Sequence, residues 1–116
     1  MVDIAAYNAG LETCSSNPIT VNVAGATSAV LYTLSPSCAS RNPASDTQVL
    51  VVGFSNTNAQ MTALADAQAT HSNWKVQNTE AYITGSTVLV VQGSPGNTEV
   101  QEIGASFIDQ GAMRVV

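Results

Sequence analysis

The side chains with which this chain could do acid–base, nucleophilic or metal chemistry are few: one histidine, two cysteines and eight carboxylates in 116 residues. A serine or cysteine nucleophile needs a base within hydrogen-bond reach, and His71 is the one imidazole available. Ser15, Ser16, Ser55 and Ser94 lack the G-x-S-x-G setting that lifts a nucleophile onto a strand-to-helix elbow. A zinc site needs converging nitrogen, sulfur or carboxylate ligands. Here it would have to be built from carboxylates, which are scattered singly except for Glu99 and Glu102. At i, i+3 these two share a helical face, as a paired-carboxylate site would require. First-turn charges favoured by the helix dipole explain them with no further assumption. His71 falls near the end of a predicted helix, where a protonated imidazole complements that dipole. No catalytic residue, metal or cofactor is expected, and the chain reads as a non-enzyme.

Cys14 and Cys38 point to a structural bridge. Both lie in polar, turn-forming surroundings, Thr13-Cys14-Ser15-Ser16-Asn17-Pro18 and Ser35-Pro36-Ser37-Cys38-Ala39-Ser40. Free structural cysteines favour apolar neighbours, and no C-x-x-C motif suggests redox or zinc chemistry. A bridge here adds about 3 kcal/mol on the loop-entropy model and implies an oxidising compartment. The alternative is two unrelated thiols of a cytosolic chain. Met1-Val2-Asp3 has neither the basic start nor the apolar core of a secretory signal. No stretch reaches the roughly 18 apolar residues of a membrane span. The expected location is extracytoplasmic, secreted or on a membrane-anchored ectodomain, with the targeting segment missing from this chain.

A passage that occurs twice supplies the framework for any site. Val51-Val52 leads into Asn56-Thr57-Asn58-Ala59-Gln60, and Val90-Val91 leads into Asn97-Thr98-Glu99-Val100-Gln101. Each apolar, strand-like run is followed by Asn-Thr-x-x-Gln, whose Thr and Gln have the spacing of a capping box. Strands are expected over Val49–Phe54 and Thr87–Val91. Helices are expected over Thr57 to about His71, carried by Ala59, Met61, Leu64, Ala65 and Ala69, and over Thr98–Gln110, with Val100, Ile103, Phe107 and Ile108 on one face. Trp74 to Ile83 reads as extended, Met113 to Val116 as a closing strand, and Gly111 as a helix stop. Upstream, Asp3 to Glu12 reads as a short helix capped by Asp3, with Ile4, Tyr7 and Leu11 at helical spacing. The alternating Ile19–Val23 and the run Ala29–Leu34 read as a hairpin. Ser35 to Thr47 reads as a loop.

The order over residues 48–116 is β-α-β-β-α-β, so the expected fold class is α+β, a ferredoxin-like sandwich preceded by a helix and hairpin over residues 1–47, all in one domain. Right-handed crossovers are expected to set the Val49 and Val88 strands side by side and parallel. Both helices would cover one sheet face, and the hairpin would cover the other or extend the edge, with a partner subunit as the competing cover. Parallel neighbours would gather both helix openings on one rim: Ser55, Asn56, Thr57, Ser94, Gly96, Asn97 and Thr98. That rim, rich in amides, hydroxyls and first-turn N–H groups, is the candidate ligand site, suited to a neutral polar ligand such as a glycan or peptide terminus. Gly93-Ser94-Pro95-Gly96 within it lacks the Lys of a P-loop, and Glu99 would repel phosphate.

The chain is 45% hydrophobic and 9% charged, against roughly 25% charged in an ordinary soluble domain. Arg41, Lys75 and Arg114 are its only cations and the net charge is -5. Nucleic acid is excluded as a partner, since phosphate backbones are bound through clustered Lys and Arg.

Residues 48–116 resemble SPOR-type peptidoglycan-binding domains in length and element order. Val52-Gly53-Phe54-Ser55 and Asn58-Ala59-Gln60 look like that family's first strand and helix opening. The C-terminal domain of envelope proteins of the LytR group is similar in topology. The resemblance implies a cell-wall glycan or peptide as partner. The function expected is a non-catalytic extracytoplasmic binding or assembly module of a cell-envelope or secreted protein. The alternatives are a sensor for a small polar ligand, a SPOR-like peptidoglycan-binding domain, or a subunit of a homo-oligomer. A protein partner fits the first and last of these.

Overall fold

Among the described residues, three helices and one six-stranded antiparallel sheet make a mixed α+β domain. In chain order the elements are α1 (Val2–Asn8), β1 (Glu12–Pro18), β2 (Ala26–Ser35), β3 (Thr47–Phe54), α2 (Thr57–Thr70), β4 (Thr79–Thr84), β5 (Thr87–Gln92), α3 (Glu99–Asp109) and β6 (Met113–Arg114). This computed structural model describes residues 1–21, 23–40, 46–70, 79–93 and 98–115, without the side chains of 65–70 and 79. His71, Trp74, Lys75, Arg41, Pro95 and Val116 lie outside the described residues, as do the side chains of Ala65 and Ala69. The strand order is β1-β2-β3-β5-β4-β6.

The N-terminal hairpin forms, but not from the residues with the strongest alternation. Its first strand is the polar Glu12–Pro18, paired with β2 from Glu12↔Ser35 to Pro18↔Val30. The alternating Ile19–Val23 falls in the connection, with Ile19 and Val23 exposed. An edge strand needs one neighbour and little apolar surface, so the ladder and the bridge at its other end define it. The register shifts between Thr13 and Ser15, so Cys14 is the extra residue of a bulge. A bulge re-aims its side chain, and here the re-aimed sulfur reaches Cys38 beyond the end of β2, with Cα atoms 5.3 Å apart. The expected disulfide is formed.

The central strands are adjacent, as expected, but antiparallel: Val49 faces Val91, and Val52 faces Val88. The parallel arrangement fails because the two-residue turn Gly85-Ser86 reverses β5 against β4. The helical crossover leaves β4 running with β3, and β5 inserts between them pointing the other way. The ferredoxin-like order also departs from expectation at its last strand. β6 lies beyond β4, pairing Tyr82↔Arg114 and Ile83↔Met113, because β2 occupies the edge of β3 where it would otherwise sit.

That displacement moves a helix to the other side of the sheet. The connections β3-α2-β4 and β5-α3-β6 step the same way along the sheet but start from strands of opposite direction. Right-handed crossovers then land on opposite faces, and the cores agree. Val49, Leu89, Val91 and Tyr82 pack with Val100, Ile103 and Phe107 of α3 and with Val2, Ala5 and Ala6 of α1. Val52, Phe54 and Val88 pack with Leu64 of α2. The expectation that both helices share one face is therefore wrong.

Small residues let α1 lie close to α3, where Asn8 Nδ2 donates to Ser106 Oγ at 3.1 Å. Ile4 and Tyr7, expected inward, point to solvent. Asp3 accepts a bond from Thr13 at 3.2 Å and makes no cap. The C-terminal strand joins the faces, with Ala112 in the α3 core and Val115 against the α2 core. Between them the Val115 N–H donates to the Ala81 carbonyl at 2.8 Å.

Candidate functional site

Among the described members of the rim expected from the repeat, Ser55, Asn56 and Thr57 do not lie beside Thr98. Ser55, Asn56 and Thr57 follow Phe54, at the end where Gly53 faces Thr87, while Thr98 opens α3 beyond the end where Gln48 faces Gln92. Those ends are separated by the length of a strand, roughly 20 Å at its usual rise. Ser94, Gly96 and Asn97 lie outside the described residues. The two capping boxes do not form either. At α2 the cap is Asn56, whose Oδ1 accepts from the Ala59 N–H at 2.8 Å. Gln60 is fully buried and its amide donates to the Thr87 carbonyl at 2.8 Å, fastening the helix start to β5. At α3, Thr98 makes no side-chain cap bond. Glu99 instead accepts from the Thr47 hydroxyl at 3.5 Å, while Glu102 is exposed.

What the α2 face does assemble is an apolar cleft of about 210 Å³. Its floor is the even-numbered side of the central strands: Leu50, Val52 and Phe54 of β3, and Val88 and Val90 of β5. One wall is Ala63 and Leu64 of α2, and the other is Val21 and Val23 of the hairpin connection. The wall of the connection is held by a close approach. Gly25, at φ +83°, sits so near α2 that a Cβ there would stand 2.8 Å from Ala59 Cβ, and its carbonyl accepts from the Ser55 N–H at 3.2 Å. The helix wall is low because α2 turns short side chains, Ala59 and Ala63, toward the sheet. Among the described residues no polar side chain lines the cleft. The sequence marked the floor residues as apolar strands and Leu64 as part of the helix's apolar set; the signal of a cleft was the small size of the helix residues opposite large strand residues.

A second group of residues, centred on Glu80 and Tyr82 under α3, was not foreseen. Glu80 and Tyr82 point to the same side of β4, and the Tyr82 hydroxyl donates to Glu80 Oε1. Glu80 Oε2 meets Arg114 of β6 at 3.2 Å. Tyr82 packs edge-on to Phe107, with ring centroids 5.7 Å apart. Burial first, then the bond to Glu80, push the Tyr82 hydroxyl far above its usual pKa, with Arg114 pulling weakly the other way. Gly104 makes room for it, since a Cβ there would collide with the tyrosine hydroxyl. Both carboxylate oxygens are engaged and α3 covers Glu80 and Tyr82 while Arg114 stays half exposed, so the group's chemistry is to tie β6 and α3 to β4. The i, i+2 spacing of Glu80 and Tyr82 was legible; the glycine opposite them was the missing cue.

Among the described residues no three of His, Cys, Asp and Glu gather as metal ligands. No described helix is long and apolar enough to cross a membrane. No protein-family model, no curated protein and no solved structure matches the chain significantly. The likeness of residues 48–116 to SPOR-type domains therefore rests on element order and two short motifs.

Proposed function

We propose that this chain is a non-catalytic binding module of a secreted or cell-envelope protein, working outside the cytoplasm. The observation that carries the reading is the cleft on the α2 face. A concave, mostly apolar recess is the usual form of a ligand site, whereas on the opposite face α3 and α1 lay a buried apolar cluster against the sheet. The Cys14–Cys38 bridge supports the compartment, because such bridges persist where thiols are not kept reduced. Uncharged surroundings favour binding over catalysis, since general acid–base work needs a titratable group at the reacting atoms. The test is a backbone NMR screen of oxidised protein against neutral amphiphiles, muropeptides and short peptides. Saturable shifts with one class are expected. A turnover that depends on the folded chain would overturn the non-catalytic reading.

A further inference from the structure

The class of ligand follows from what the cleft offers and what it withholds. Val52, Phe54, Val88 and Val90 below and Ala63 above have no hydrogen-bonding side-chain atom. Among the described residues no cation borders it. Arg114 is engaged with Glu80, which faces α3 on the other side of the sheet. A carboxylate or phosphate would lose its hydration there without gaining a partner among the described residues, in a chain of net charge -5. The size is sufficient for hydrocarbon: a cavity of about 150 Å³ lined by aliphatic side chains stays dry and takes up benzene. The cleft is larger, and its rim residues Val23 and Ala63 reach solvent. A head group can therefore remain in water while a tail is buried.

We infer that the α2 cleft binds the apolar tail of a neutral amphiphile, a short hydrocarbon chain on an uncharged head. This rests on the binding-module reading and narrows it to one ligand class. The hydrophobic effect supplies the affinity in proportion to the tail buried, and the open mouth leaves the head without specific contacts.

The experiment uses octyl glucoside below its micelle concentration, with glucose as the head alone and octanoate as the anionic match. Methyl and backbone NMR of the oxidised protein follow each. Octyl glucoside is expected to shift the methyls of Val52, Val88 and Val90 saturably, octanoate to bind about tenfold more weakly, and glucose to do nothing. Ala63→Phe fills the cleft and is expected to weaken octyl glucoside by about tenfold or more. Val23→Asp places a charge at the exposed rim and is expected to do the same, and it decides the matter should Ala63→Phe not fold. Shifts confined to other surfaces, equal binding of octanoate, or undiminished binding in the folded variants would overturn the inference. A response to muropeptides or peptides with none to the octyl chain ends the inference and leaves the binding-module reading standing. Silence toward every probe ends both.

Discussion

On one side of the sheet α3 lays down Val100, Ile103 and Phe107, and α1 closes the margin with Val2, Ala5 and Ala6. On the other, α2 lays down Ala59, Ala63 and Leu64 over strands just as apolar, and a cleft remains. The strands alternate the same residue types to both sides, so the sheet does not decide which face is filled. The size of the helix side chains does. Two copies of one sequence passage thus lead into helices with different tasks, one sealing the core and one leaving it accessible.

Truncations should separate the faces most clearly. Phe107→Ala, at a fully buried position, is expected to cost about 3–5 kcal/mol in urea unfolding. Leu64→Ala, beside space that already exists, is expected near the low end for such changes, about 2 kcal/mol. Equal losses would abolish the distinction between the faces. Next in size is the bridge. Replacing Cys14 and Cys38 together by Ser is expected to remove about 3 kcal/mol, with a lower Tm. Methyl spectra of Ile103 and its neighbours should stay native at low temperature, because the bridge lies at the β1 edge. Collapse of those signals would show that the closed face depends on the hairpin.

Adding carbon should act with opposite sign on the two sides. Gly104→Ala forces Tyr82 or Glu80 to move within a packed core, an expected loss of about 1–3 kcal/mol. Ala63→Leu occupies empty apolar space, an expected gain of about 0.5–2 kcal/mol. Losses at both sites would mean that the α2 face is packed after all.

The smallest effect is a pH dependence confined to the closed face. The folded-state pKa of Tyr82 is raised well above that of a free tyrosine hydroxyl, first by burial and then by its bond to Glu80. The unfolded chain therefore gives up that proton first as pH rises. Stability should be constant below about pH 10 and fall above it. Tyr82→Phe should flatten that fall in thermal melts taken across alkaline pH. A decline of unchanged steepness in the variant would assign it elsewhere.

Much of this fold was legible. Apolar runs gave β3 and β5, a helix-period stripe gave α3, and the polar settings of Cys14 and Cys38 gave the bridge. The direction of β5 was written in the turn Gly85-Ser86, because a two-residue connection joins antiparallel neighbours only. The first strand was hidden because an edge strand of Ser, Thr and Asn has no burial pattern to display. Ile19–Val23 misled because alternation reports a strand with one buried side, whereas here the segment is a connection whose Ile19 and Val23 are exposed while Val21 and Val23 wall a cleft. The repeated Asn-Thr-x-x-Gln gave the helix starts but not the partners of its side chains. Gln60 binds a neighbouring strand that no local rule identifies. The expected rim depended on a parallel pairing, and with antiparallel strands Ser55, Asn56 and Thr57 lie apart from Thr98, while the cleft depends on a difference between two helices that neither reveals alone.

The last strand has a consequence for how the molecule opens. Ala112 belongs to one core and Val115 packs on the other, with one backbone bond to Ala81 between them. Release of either face lifts the same few residues, so the faces share a latch whatever their separate strengths. Amide exchange at Val115 should follow the weaker face, and any ligand that steadies the cleft should slow exchange at that single N–H.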